Sequence, residues 1–134
     1  MSSVRGFDNK DRLLFHCIFP VRYKYQILNG KIVKCIHEAL EQICEEFNAK
    51  VLHMVARKDH LYIVISTKKE IPPNELVNKF YSFSSDILFD RYPHLKRRYW
   101  DHQVWADNYL CTSECDSTKK LINSYLARQL KTAK

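Results

Sequence analysis

The sequence predicts an α+β fold: one antiparallel sheet with two helices on one face, followed by an added C-terminal helix. Three observations predict it. Apolar residues alternate between β-prone runs and runs at helical spacing, in the order β-α-β-β-α-β-α. A hydrophobic fraction of 46% over 134 residues can supply one core. Only 2 Gly and 4 Pro occur, which argues against disorder and against loop-rich architecture.

The elements follow in order. Residues 1–11 are polar and are read as a flexible N-terminal segment of a single 1–134 domain. Residues 13–21, Leu-Leu-Phe-His-Cys-Ile-Phe-Pro-Val, are apolar and β-prone and make a first strand. Arg22-Tyr23-Lys24-Tyr25 is a basic, aromatic linker. From Gly30 to Asn48, Ile32, Val33, Ile36, Leu40, Ile43, Cys44 and Phe47 fall at helical spacing, with Glu38, Glu41 and Glu45 on the wet face. Asn48 suits the helix end. Val51–Ala56 and His60–Thr67 read as two strands joined by Arg57-Lys58-Asp59, an antiparallel hairpin. Strand alternation puts Leu61, Ile63 and Ile65 on one side and His60, Tyr62 and Val64 on the other. Asn74 is positioned to cap a second helix, which runs to Arg91 with Leu76, Val77, Phe80, Phe83, Ile87 and Leu88 buried. Pro93 ends that helix, and 94–102 is a basic, aromatic connector. Val104–Thr112 reads as a fourth strand with Trp105 and Tyr109 on one core face. Asp116 or Ser117 caps a last helix to Leu130. The first six elements are the split βαβ, ferredoxin-like arrangement. Many functions share that fold, so the site must decide.

The net charge of +7 favours an anionic partner such as nucleic acid. The N-terminal residues lack a signal-peptide core, and no apolar run is long enough to span a bilayer, so no membrane role and a cytoplasmic location are expected. Five cysteines, with no second pair at zinc-ligand spacing, read as reduced thiols. Tyr125 and Gln129 are four apart and share a helix face; His60 and Tyr62 are two apart and share a strand face. A phenol, an amide oxygen and an imidazole can then converge to break a phosphodiester. Taken singly, each residue also has a structural reading: a buried tyrosine, a helix-surface glutamine, a strand-starting histidine. Cations among aromatic rings at Arg22-Tyr23-Lys24 and Lys96-Arg97-Arg98-Tyr99-Trp100 suit a single strand, whose bases stack on rings while cations track phosphates. The same segments also suit solvated connectors.

Several of these segments resemble a known family. His16-Cys17-Ile18-Phe19 with Arg22-Tyr23-Lys24, Asp59-His60-Leu61-Tyr62-Ile63-Val64-Ile65, Tyr92-Pro93-His94-Leu95-Lys96, Val104-Trp105-Ala106-Asp107-Asn108-Tyr109-Leu110 and Leu121-Ile122 with Tyr125-x-x-x-Gln129 are similar, in order, to the small single-tyrosine transposases of bacterial and archaeal insertion sequences. These are HUH-class endonucleases, and the REP-associated tyrosine transposases are among their kin. The resemblance implies DNA transposition through single-strand cleavage. Tyr125 would be the nucleophile, forming a 5′-phosphotyrosine. His60 and Gln129 would be ligands for Mg²⁺ or Mn²⁺. It also implies a homodimer, in which each last helix completes the partner's site, and recognition of single-stranded or hairpin DNA. The family's second motif histidine is Tyr62 here, giving His-Leu-Tyr. A neutral phenol is a weaker ligand than imidazole. Either Tyr62 or a neighbour such as Asp59 ligates instead, or water fills the gap around a weaker metal, or cleavage is lost. The expectation is reduced or absent cleavage with DNA binding retained; the alternative function is a domesticated relative that binds DNA or RNA hairpins as a regulator. A third possibility is a ferredoxin-like sensor or structural dimer with no nucleic-acid role.

Overall fold

The computed structural model describes residues 12–68, 71–99, 101–113, 120 and 122–127. The predicted alternation of strands and helices is present: β1 (Arg12–Pro20), α1 (Gly30–Glu46), β2 (Lys50–Ala56), β3 (His60–Lys68), α2 (Pro73–Arg91) and β4 (Leu110–Ser113). Residues 122–127 form one further helical segment, α3. The strands form one antiparallel sheet in the order β2-β3-β1-β4, which is the ferredoxin-like topology.

Local chemistry explains each boundary. Asn29 caps α1 by accepting from the Ile32 amide at 3.3 Å. Asn48 closes the helix at φ 53, the left-handed conformation that asparagine tolerates. The β2–β3 hairpin closes through the Arg57 amide on the His60 carbonyl, 2.9 Å. Phe15, Cys17 and Phe19 of β1 and Leu61, Ile63 and Ile65 of β3 face the helices, where Ile36, Leu40, Leu76, Phe80 and Leu88 complete the core. The opposite sheet face is not bare: Ile18 and Val64 are buried there as well. The Cys17 and Cys111 thiols meet at 2.9 Å across β1 and β4, and Cys17, Cys35, Cys44 and Cys111 are free.

The structure corrects two boundaries and adds one short turn. α2 begins at Pro73, with Pro72 before it, rather than behind an Asn74 cap; proline suits the first helical turn because its missing N–H is unpaired there anyway. Pro93 opens a 3-10 turn, Pro93–Arg97, inside the expected connector. The fourth strand starts only at Leu110. Val104–Tyr109 is irregular, and its amides go elsewhere: Val104 N–H donates to the Ser85 hydroxyl, Trp105 N–H to Gln103 Oε1 and Ala106 N–H to the Pro20 carbonyl. Had the β1–β4 register continued, Val21 would oppose Asp107; it opposes Trp105 instead, in an isolated bridge. Trp105 and Tyr109 do share a cluster, both meeting Phe19 and Tyr81 rings, although not through strand periodicity. Residues 1–11, the expected Asp116 or Ser117 cap, Cys115 and Gln129 lie outside the described residues. Among the described residues, no helix is long and apolar enough to cross a membrane.

Candidate functional site

His60 opens β3 opposite Pro20 of β1, at one end of the sheet. Its Nδ1 lies 3.1 Å from Asp59 Oδ1. A carboxylate on one imidazole nitrogen fixes the ring and leaves the other, Nε2, for a ligand; metal-binding histidines are held this way. Asp59 is itself anchored, its carbonyl accepting from the Val21 amide at 2.8 Å. Tyr62 shares the His60 face, but its hydroxyl sits 2.6 Å from His16 Nδ1, and the two rings stack. His53 of β2 meets the Tyr62 ring edge-on from the other side. The residue in the place of the second motif histidine is therefore wedged between two imidazoles. Sequence reading gave His16 no role. The pairing follows from register, since Tyr62 opposes Ile18 and so lies diagonal to His16.

Among the described residues no group of three or more His, Cys, Asp or Glu is placed to hold a metal. His60 has the right chemistry for a divalent cation; Tyr62, occupied by His16, does not offer a second ligand as it stands. The described donors do not by themselves make a complete Mg²⁺ or Mn²⁺ site.

Tyr125 sits on α3, 6% exposed, with its hydroxyl donated to the Asn108 carbonyl. Burial pushes the neighbouring Tyr81 phenol well up from its ordinary value, and Tyr125 is among the nearby groups that add to this. Tyr81 in turn donates to the Ala106 carbonyl at 3.1 Å. Tyr125 is thus held beside the segment that leads into β4, while His60 is held by Asp59. The two expected partners have separate anchors.

The basic residues divide. Arg22 is turned inward, 3.3 Å from Asp101 and 2.9 Å from Asp107. Neither acidic partner was foreseen from the sequence. Lys24 is half-buried in the 3-10 turn Arg22–Lys24. Lys96, Arg97 and Arg98 are exposed, because Leu95 and Tyr99 on either side of them plug into the core at 1% and 2% exposure. Tyr23 is 46% exposed.

Comparison with known proteins places this arrangement. The model of the family described as "Transposase IS200 like" matches residues 9–129. The chain belongs to this transposase family. It is 25% identical over 129 residues to the ISDra2 transposase TnpA of Deinococcus radiodurans, covering 96% of this chain and 91% of that protein. It is 27% identical over 124 residues to the transposase for insertion sequence element IS200 of Salmonella typhimurium, covering 90% and 78%. Among solved structures, a Deinococcus radiodurans R1 protein described as a candidate transposase shares the fold with a TM-score of 0.78 at 20% identity, over 96% of this chain and 98% of its own. A REP-associated tyrosine transposase bound to a REP hairpin shares it with a TM-score of 0.58 at 11% identity, over 92% and 68%.

Proposed function

We propose that this member of the transposase family is a single-tyrosine strand transferase acting on single-stranded, hairpin-bearing DNA. The Tyr125 phenolate oxygen attacks a phosphodiester phosphorus; the Tyr125–phosphate bond forms, the bond to the 3′ oxygen breaks, and a 5′-phosphotyrosine and a free 3′-OH remain. A second 3′-OH then displaces Tyr125, so the phosphate bond is conserved and no nucleotide triphosphate is consumed. To act, Tyr125 must leave the Asn108 carbonyl. His60, through Nε2, and Gln129 would hold Mg²⁺ or Mn²⁺, which when bound offsets charge on the scissile phosphate. Lys96, Arg97 and Arg98 give the strand a cationic track. The separate anchoring of Tyr125 and His60 within one chain favours a homodimer in which the last helix serves the partner's His60.

The observation that carries this reading is the Asp59-held imidazole of His60 at the open end of the sheet. A second reading, a hairpin-binding regulator with impaired cleavage, is favoured by the hydrogen bond that keeps Tyr62 on His16. A Mn²⁺ cleavage assay on hairpin-bearing single strands separates them. The first reading expects cleavage that speeds up in Tyr62→His. Hairpin binding with no cleavage by either protein supports the second. Wild-type cleavage as fast as that of Tyr62→His contradicts the idea that Tyr62 limits the site.

A further inference from the structure

Tyr23 is the large hydrophobic side chain left exposed among the described residues, and the backbone is bent to leave it there. Tyr23 and Lys24 adopt φ of 62 and 55, a left-handed conformation that is costly for side chains of this size. Tyr23 is not one of the buried core residues: its inner face covers Tyr99 and Tyr25, and 46% of it stays exposed. Behind the ring the structure is closely packed. Tyr23 lies parallel to Tyr99, centroids 6.1 Å apart and planes 17° apart. Tyr99 is 2% exposed, packs against Phe89, and has a hydroxyl with no hydrogen-bond partner among the described residues. Tyr25 braces both rings, at 5.5 Å from Tyr23 and 5.4 Å from Tyr99, and the Arg98 guanidinium lies 4.1 Å over the Tyr25 ring. Arg97 and Lys96 continue the exposed cationic run from Arg98. The platform also has a fixed place. Val21, two residues earlier, is bonded to the Asp59 carbonyl, so Tyr23 leaves the sheet at the His60 end.

We propose that Tyr23 is the seat for one unpaired nucleobase of a DNA strand, stacked on its outer face while Lys96, Arg97 and Arg98 run along the adjoining phosphates. This rests on the DNA reading above and adds to it a position and a substrate feature. A ring braced from behind offers one face, and a base can use that face only if it is out of a duplex. Cations beside the ring favour a nucleotide over an uncharged aromatic ligand. The strained turn holds the ring outward before the strand arrives, so little ordering cost falls on binding.

The test uses the full chain and a DNA hairpin with one unpaired nucleotide beside its stem, bearing either a base or an abasic sugar. Affinity is read by fluorescence anisotropy over a salt series, and stacking by quenching of 2-aminopurine placed at the unpaired position. Wild type is expected to bind the base-bearing hairpin about 5- to 150-fold more tightly than the abasic one, the range for one stacked base. Tyr23→Ala should lose that factor and become indifferent to the base, with an unchanged salt slope, because a neutral ring releases no counterions. Tyr23→Phe should keep the preference. Arg97→Ala, in contrast, should reduce the salt slope by about one. Tyr23→Gly guards against a folding artefact: glycine is unstrained at this φ, so it should melt no lower than wild type and still lose the preference. Equal wild-type affinity for the two hairpins, or a base preference that survives in Tyr23→Ala, overturns the seat and leaves the DNA enzyme standing. Absence of salt-dependent hairpin binding by wild type overturns both.

Discussion

The chain builds two aromatic assemblies within a few residues of each other, and they are opposites. In the first, Phe19, Phe80, Tyr81, Trp105 and Tyr109 pack ring against ring between the sheet and α2. Its two most deeply buried polar heads are paired, Trp105 Nε1 donating to the Ser84 hydroxyl at 2.8 Å and Tyr81 to the Ala106 carbonyl. In the second, Tyr23, Tyr25 and Tyr99 stack beside Arg98, with one ring wet and one hydroxyl lacking a partner among the described residues. The residue types hardly differ. What differs is the company: serines of α2 seat the first cluster, whereas cations and a left-handed turn present the second. A largely buried aromatic cluster serves stability, and an exposed, strained one beside cations is available for a partner.

Breaking the first assembly should have the largest effect. Trp105→Ala removes a fully buried indole and leaves the Ser84 hydroxyl without its donor, so urea unfolding should show a loss of about 3–5 kcal/mol. Asp59→Ala should leave stability nearly intact and, on the proposal that His60 binds the metal, lower Mn²⁺-dependent cleavage by about 10- to 100-fold, because the imidazole loses the carboxylate that orients it. Tyr81→Phe should cost about 0.5–1.5 kcal/mol by thermal or urea unfolding, the net worth of one hydrogen bond. Smallest of all, Tyr23→Ala should change unfolding free energy by about 0.5 kcal/mol, since the ring lies at the rim of the core with nearly half its surface exposed. A stability loss there as large as that of Trp105→Ala would erase the contrast between the two clusters.

The same contrast shows where the sequence could be read and where it could not. α1 was legible because its apolar stripe and terminal Asn48 are local signals, and the β2–β3 hairpin because its alternation and short turn are local too. Val104–Tyr109 misled because Val, Trp and Tyr favour strands, while the Val104 and Trp105 amides are in fact claimed by the Ser85 and Gln103 side chains, which no periodicity reports. The Asp59–His60 pair was legible as neighbours in Asp59-His60-Leu61-Tyr62. The link between Tyr62 and His16 was not, because it depends on strand register across 46 positions. The ion pairs of Arg22 could not be read, because Asp101 and Asp107 are distant in sequence. Tyr125 was singled out by its motif, and its role remains a proposal; its burial against Asn108 was beyond any local pattern.

The most direct test of the central claim is covalent capture. Wild type, Tyr62→His and Tyr125→Phe would be incubated with Mn²⁺ and a hairpin-bearing single strand, and the protein mapped by mass spectrometry for a DNA adduct. The account predicts a 5′-phosphate linked to Tyr125, formed more slowly by wild type than by Tyr62→His and lost in Tyr125→Phe. An adduct on another residue, or one that persists in Tyr125→Phe, would contradict it.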